Sequence, residues 1–250
     1  MSLNGKNALV VGGGRGIGAA TVKLLAEQGA TVTFSYAKNT VAAEAVAEQA
    51  RQFGGRVKCW QSNAFDADQV KALVERAYEL EHTLDIVVKS VPPLGDFKPF
   101  SHLTWDEFIR PVDTELKTDY ELSQAALFYM GEQQSGHLVF VTSSWAKYPT
   151  MTGLSGFTPA FAAQAGFVKA LAKEVGPDGI TVNTVAPGMV DTDLSRMVPS
   201  EVRQQMAAIT PLGRIATAED VARVIVFLAS DASGFMTGSY IPVSGGLTME

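Results

Sequence analysis

The sequence holds one cysteine, Cys59, and only three histidines. A single cysteine excludes an internal disulfide framework and fits a reducing, cytoplasmic setting. So few soft ligands also exclude a structural zinc site. Basic charge is scarce, since 20 Lys and Arg stand against 26 Asp and Glu, a net charge of −6. Nucleic acid is therefore not an expected partner, because phosphate binding needs a basic surface. No apolar run approaches the roughly 18–20 residues of a membrane-spanning helix, so no membrane partner is expected either. The start, Met1-Ser2-Leu3-Asn4-Gly5-Lys6, lacks a basic-then-apolar leader. There is no low-complexity tract and no repeat of solenoid length. What is present is apolar material: 46% hydrophobic and 18% charged residues over 250 positions. That is ample for a core and excludes disorder as the main state.

Short apolar runs alternate with amphipathic stretches along the whole chain. Strands are expected at Ala8–Val11, Thr31–Tyr36, Val57–Gln61, Leu84–Val88, Leu138–Thr142, Ile180–Val185 and Tyr240–Val243. Helices are expected over Ala19–Gln28, Val41–Phe53, Asp68–Leu80, about Trp105–Met130, and a segment ending near Val175. Strands separated by helical spacers imply βαβ units and a mostly parallel sheet covered on both faces. No linker divides the chain, so residues 1–250 read as one doubly wound α/β domain of Rossmann type. Residues 193–214, polar and broken by Pro199 and Pro211, read as a lid or substrate loop.

Between the first strand and first helix lies Val11-Gly12-Gly13-Gly14-Arg15-Gly16-Ile17-Gly18. Glycines let the backbone take positive φ and approach a pyrophosphate, and the helix N-terminus that follows offers N–H groups to it. In this context the loop points to a dinucleotide, with Gly12, Arg15, Gly16, Ile17 and Gly18 as its cradle. The second strand ends Ser35-Tyr36-Ala37-Lys38, without the acid that would bind an adenosine ribose diol. Arg15 and Lys38 beside Tyr36 instead suit a 2′-phosphate, which favours NADP(H) over NAD. The alternative is two solvated cations and glycines that serve only helix–strand packing.

With these features the sequence resembles the short-chain dehydrogenase/reductase family over nearly its whole length. Val182-Asn183-Thr184-Val185-Ala186-Pro187-Gly188-Met189-Val190-Asp191-Thr192 looks like the family's loop around the nicotinamide, and Pro211-Leu212-Gly213-Arg214 and Gly245-Gly246 match its C-terminal pattern. The resemblance implies that Pro187, Gly188, Val190 and Thr192 line the nicotinamide pocket. It puts Asn63, followed by Ala64, where the family's aspartate caps the adenine. It also implies homo-oligomers, dimers or tetramers, built through the two long helices, here with Phe128, Phe161, Phe167 and Leu171 on the contacting faces.

The family's chemistry uses an Asn, a Ser, and a Tyr with a Lys four residues on. Ser143 matches the serine. Glu115 stands where the Asn belongs, and Lys89-Ser90-Val91-Pro92 replaces the Asn-Asn-Ala-Gly after the fourth strand. Alignment back from Gly166 puts Phe157 and Phe161 at the Tyr and Lys positions; a shifted register puts Ala160 and Gln164 there. Neither pair supplies the proton donor that an alkoxide product requires. Three readings follow. One is a nucleotide-binding protein whose usual redox site is disabled. A second is an active oxidoreductase using Ser143 and a relocated acid such as Tyr148. The third is a non-catalytic scaffold or ligand-sensing oligomer. Lys89 and Glu115 are expected within ion-pair distance of one another, Trp60 in the core, and Trp145 as a possible cap on the substrate cleft.

Overall fold

The computed structural model describes residues 2–193 and 195–249. The strands are β1 (Asn7–Val11), β2 (Thr31–Tyr36), β3 (Val57–Gln61), β4 (Ile86–Lys89), β5 (Gly136–Val141), β6 (Ile180–Pro187) and β7 (Tyr240–Val243). They form one sheet in the order β3-β2-β1-β4-β5-β6-β7, and every pairing is parallel. The helices are α1 (Gly16–Glu27), α2 (Thr40–Arg51), α3 (Ala67–Glu79), α4 (Trp105–Gln133), α5 (Phe157–Val175), α6 (Ser200–Ile209) and α7 (Ala218–Leu228). The expected doubly wound fold is what forms. The central strands read as unbroken apolar runs because helices cover both faces: β1 is buried at all five positions and β6 at all eight.

Two apolar layers flank the sheet. Val22, Leu25, Phe34, Ala47 and Ile225 sit in the layer under α1, α2 and α7. Leu73, Leu122, Leu138, Val168 and Val182 sit in the layer under α3, α4 and α5. Helix starts follow local chemistry. Thr104 and Glu107 form a capping box at α4, and Thr217 and Asp220 another at α7. Trp60 departs from expectation. β3 is the sheet's outermost strand, so its indole is 39% exposed, and the Arg76 guanidinium lies 4.6 Å above it. An edge strand has no neighbour to complete burial. Among the described residues no helix is long and apolar enough to cross a membrane.

The strand order reverses between β1 and β4, where the connections turn to opposite faces. In open α/β sheets a crevice forms at that point, outside the carboxyl ends of the strands. Here Val11 pairs in register with Lys89, and Ser90 donates its N–H to the Val11 carbonyl at 2.9 Å. The glycine loop and the segment after β4 thus leave the sheet side by side.

Candidate functional site

The glycine loop is held from below by β2. Gly12 N–H donates to Ser35 Oγ at 3.1 Å, and Gly13 N–H to the Ser35 carbonyl at 2.8 Å. Gly12 has φ +88°, and a Cβ there would meet Val91 Cγ2 at 2.7 Å; a Cβ on Gly18 would sit 2.1 Å from the Gly12 carbonyl oxygen. Both positions demand glycine. No side chain caps the start of α1, and its first turn carries no acid. Its leading N–H groups therefore remain available to an anion. The Thr192 methyl packs over Gly16, 3.3 Å from where a Cβ would lie. Val190 pairs with Ala216, and Gly188 N–H donates to the Val243 carbonyl at 3.2 Å, so the segment after β6 is pinned above the loop.

Around the rim, Arg15 and Lys38 are exposed and Tyr36 is half-buried. Asn63 Oδ1 accepts from Phe65 N–H, while its own N–H donates to Gln69 Oε1; Ala64 is buried beside it. An uncapped helix start, a cradle closed to any Cβ, and two cations with no acid at the end of β2 fit a 2′-phosphorylated dinucleotide.

Across the crevice lies a buried charge cluster. Lys89 Nζ reaches Glu115 Oε1 at 2.5 Å and Asp119 Oδ1 at 3.2 Å. The expected pair is therefore present, and it has a second carboxylate. Gln164 Nε2 donates to the same two oxygens, at 2.5 Å to Glu115 and 3.2 Å to Asp119. All four side chains are at most 1% exposed. Glu115 Oε2, Asp119 Oδ2 and Gln164 Oε1 have no protein partner.

Burial penalises each of these charges. Against that, attraction from the two carboxylates raises the Lys89 ammonium above its usual value and keeps it protonated. Burial lifts Glu115 to about 7, with Lys89 pulling it back and Asp119 pushing it further. Asp119 is raised too, again chiefly by burial. A single proton held between the two carboxyls would make the cluster neutral, which is the cheapest charge state in a dry site. Asp119 was missed by the sequence reading. Its signal was there: it lies one helical turn after Glu115 on α4, on the same face.

Ser143 lies two residues beyond the end of β5 and is half-buried. Its Oγ accepts from Trp145 N–H at 3.2 Å, and its carbonyl accepts from the Tyr240 hydroxyl at 3.0 Å. The Lys147 ammonium lies 4.5 Å from the centre of the Tyr240 ring. Tyr148, the relocated acid of the sequence reading, has its hydroxyl committed to the Met249 carbonyl at 2.8 Å. Phe157 and Phe161 do not reach the charge cluster. They pack with Leu154, and Trp145 and Ala146 close over them. Gln164, one turn beyond, is the α5 residue that meets Glu115. Phe161 is also spent inside the protomer and is not on an outer helix face, while Phe128 is 71% exposed.

Comparison with known proteins agrees with this architecture. A family profile described as enoyl-(acyl carrier protein) reductase matches residues 11–248. The chain belongs to the short-chain dehydrogenase/reductase family. It is 36% identical over 250 residues to the 3-oxoacyl-[acyl-carrier-protein] reductase FabG of Pseudomonas aeruginosa, covering 100% of both chains. It is 34% identical over 246 residues to the FabG of Staphylococcus aureus, covering 98% of each. Among solved structures, a short-chain dehydrogenase/reductase from Serratia marcescens superposes with a TM-score of 0.91 at 31% identity over 100% of both chains. A blue fluorescent protein from a metagenomic library, solved in complex with NADPH, gives 0.90 at 29% identity, again over 100% of both chains.

Proposed function

We propose that this oxidoreductase-family protein binds NADP(H) and that the family's Tyr–Lys carbonyl and alcohol chemistry is disabled in it. Gly12, Arg15, Gly16, Ile17 and Gly18 would hold the pyrophosphate, with Arg15, Tyr36 and Lys38 at the 2′-phosphate. Asn63 and Ala64 would flank the adenine, and Pro187, Gly188, Val190 and Thr192 the nicotinamide. Bound NADPH would supply a hydride. We take Ala160 and Gln164 as the residues at the Tyr and Lys positions, in preference to Phe157 and Phe161. The observation that carries this reading is the contact of Gln164 with Glu115 and Asp119. An amide stands where an ammonium is needed, and a methyl where a phenol is needed. Neither moves a proton at neutral pH. Lys89, arriving from β4, restores the positive charge but is held by two carboxylates.

Residues 193–214 would close over the second ligand. Around α6 they are open to solvent, with no buried side chain on that helix; Leu194 lies outside the described residues. Exposed Phe128 on α4 supports homo-oligomers. The test is calorimetric titration with NADPH and NADH, followed by an NADPH-oxidation assay over a panel of ketones. Tight NADPH binding without turnover supports the proposal, and turnover refutes it.

The second reading, an active reductase, is favoured by whole-length identity of 34–36% to named reductases. It needs a proton source other than Tyr148, whose hydroxyl is tied to the Met249 carbonyl. Glu115, poised to titrate near 7, is the group for that role.

A further inference from the structure

Large apolar side chains are left in solvent on the segments that follow β4 and β5. Leu94, Phe97 and Phe100 lie on the connection from β4 to α4, Trp105 opens α4, and Tyr148 and Met151 lie on the segment after β5; each is at least 41% exposed. Single exposed apolar residues are ordinary, but several on two segments that pack together mark a candidate binding surface. These two segments touch. Phe97 meets the Trp145 ring edge-on at 6.1 Å, and Gly153 packs against the Lys98 backbone, where a Cβ would lie 3.3 Å from its nitrogen. Gly95 is wedged between Pro111 and Phe157, 2.7 and 2.8 Å from a notional Cβ, which fixes the loop on α4 and α5. The patch is therefore a built surface.

Its geometry is that of an unfinished stack. Phe161 and Phe157 lie nearly parallel, 6.4 Å apart at 25°, and Phe97 continues the series on Phe157 at 4.6 Å and 22°. Phe97 ends the series and is 53% exposed, so part of its ring is left to solvent. Trp145 stands perpendicular at its side. Its indole N–H is fixed by Thr150 Oγ1 at 3.1 Å, and its backbone N–H by Ser143 Oγ. Charge has been cancelled on the loop. Lys98 pairs with Glu107, and Arg110 lies 3.3 Å from Asp96. With a net charge of −6, the chain also repels an acidic partner.

We propose that this mouth takes a flat, uncharged aromatic ligand, stacked on Phe97 with its polar group toward Ser143. A rigid ring continues the stack without losing internal rotations, whereas a flexible acyl chain must be ordered bond by bond. The proposal rests on the reading above to the extent that Ser143 marks the second-ligand end of the cleft. It does not require turnover.

Calorimetry with 1-tetralone as the flat ketone and 2-octanone as the flexible one tests it, with NADPH titrated separately on the same protein. Tetralone binds at least about tenfold more tightly than octanone. Phe97→Ala weakens tetralone by about tenfold and leaves NADPH affinity unchanged. Phe97→Leu, which keeps apolar area but loses the ring, weakens it nearly as much. Equal affinity for the two ketones, or no effect of Phe97→Ala on tetralone, overturns the proposal. So does light scattering showing that Phe97→Ala dissociates an oligomer, since the patch is then covered by a second copy. Tetralone binding without NADPH binding overturns the nucleotide reading alone.

Discussion

Replacing Lys89 by methionine removes the only cation from a cluster in which Glu115 and Asp119 are at most 1% exposed. Breaking a buried pair from one side leaves an uncompensated charge and costs about 3–5 kcal/mol. For a chain of this length each kcal/mol moves the melting temperature by roughly 2–4 °C, so a drop of about 6–20 °C follows. The loss depends on pH, and its sign is fixed. Glu115 in the folded protein is raised to about 7 from 4.5. A carboxyl whose folded value is raised binds its proton more tightly in the native state. Its contribution is complete below about pH 4.5 and fades as pH rises through 7. Without Lys89 both carboxyls rise further, because the ammonium was the group holding them down. At low pH, where the carboxyls keep their protons, the variant loses little, and the deficit grows towards alkaline pH as ionisation in a dry site is forced. Urea unfolding followed by tryptophan fluorescence from pH 5 to 8 measures this. An equal deficit at both ends, or none at pH 8, would refute the buried-cluster account.

Glu115→Gln mimics the protonated acid; its unfolding free energy should fall less between pH 5.5 and 8 than that of the natural protein. Gly18→Ala places a methyl 2.1 Å from the Gly12 carbonyl oxygen, so the loop must open, and calorimetry should show NADPH affinity reduced by at least about tenfold. Arg15→Ala with Lys38→Ala should weaken NADPH by about tenfold or more and NADH much less, since only the former carries the 2′-phosphate. Asp220→Ala removes the partner of Arg214 at 2.5 Å and of Thr217 N–H at 2.7 Å. It should cost about 1 kcal/mol, read as a lower urea midpoint near neutral pH. Arg214 holds the Asp220 carboxyl far below the usual range, so that deficit should shrink only in strong acid.

The sheet was legible because parallel central strands, buried on both faces, are written as apolar runs such as Ala8 to Val11. The cradle was legible because its glycines have no substitute at Gly12 and Gly18. Lys89 and Glu115 could be paired in advance because the family resemblance puts the end of the fourth strand and the middle of the long helix beside one cleft, and the two carry opposite charge. The α5 register could not be settled that way. Phe157, Phe161 and the pair Ala160 and Gln164 all repeat at a spacing of four, so one helix supports either reading, and only the packing of α4 against α5 brings Gln164 to Glu115. Trp60 failed for a similar reason. Its local sequence is that of a buried strand, and edge position is a property of the whole sheet.

The absence of a phenol–ammonium couple on α5 is tested most directly by a single-turnover experiment. NADPH-saturated protein is mixed with excess ketone and the reduced nicotinamide absorbance is followed, with NADPH binding verified on the same sample. Bound NADPH that stays reduced is the predicted result. Rapid oxidation that survives Tyr148→Phe would contradict it and pass the proton-donor role to Glu115.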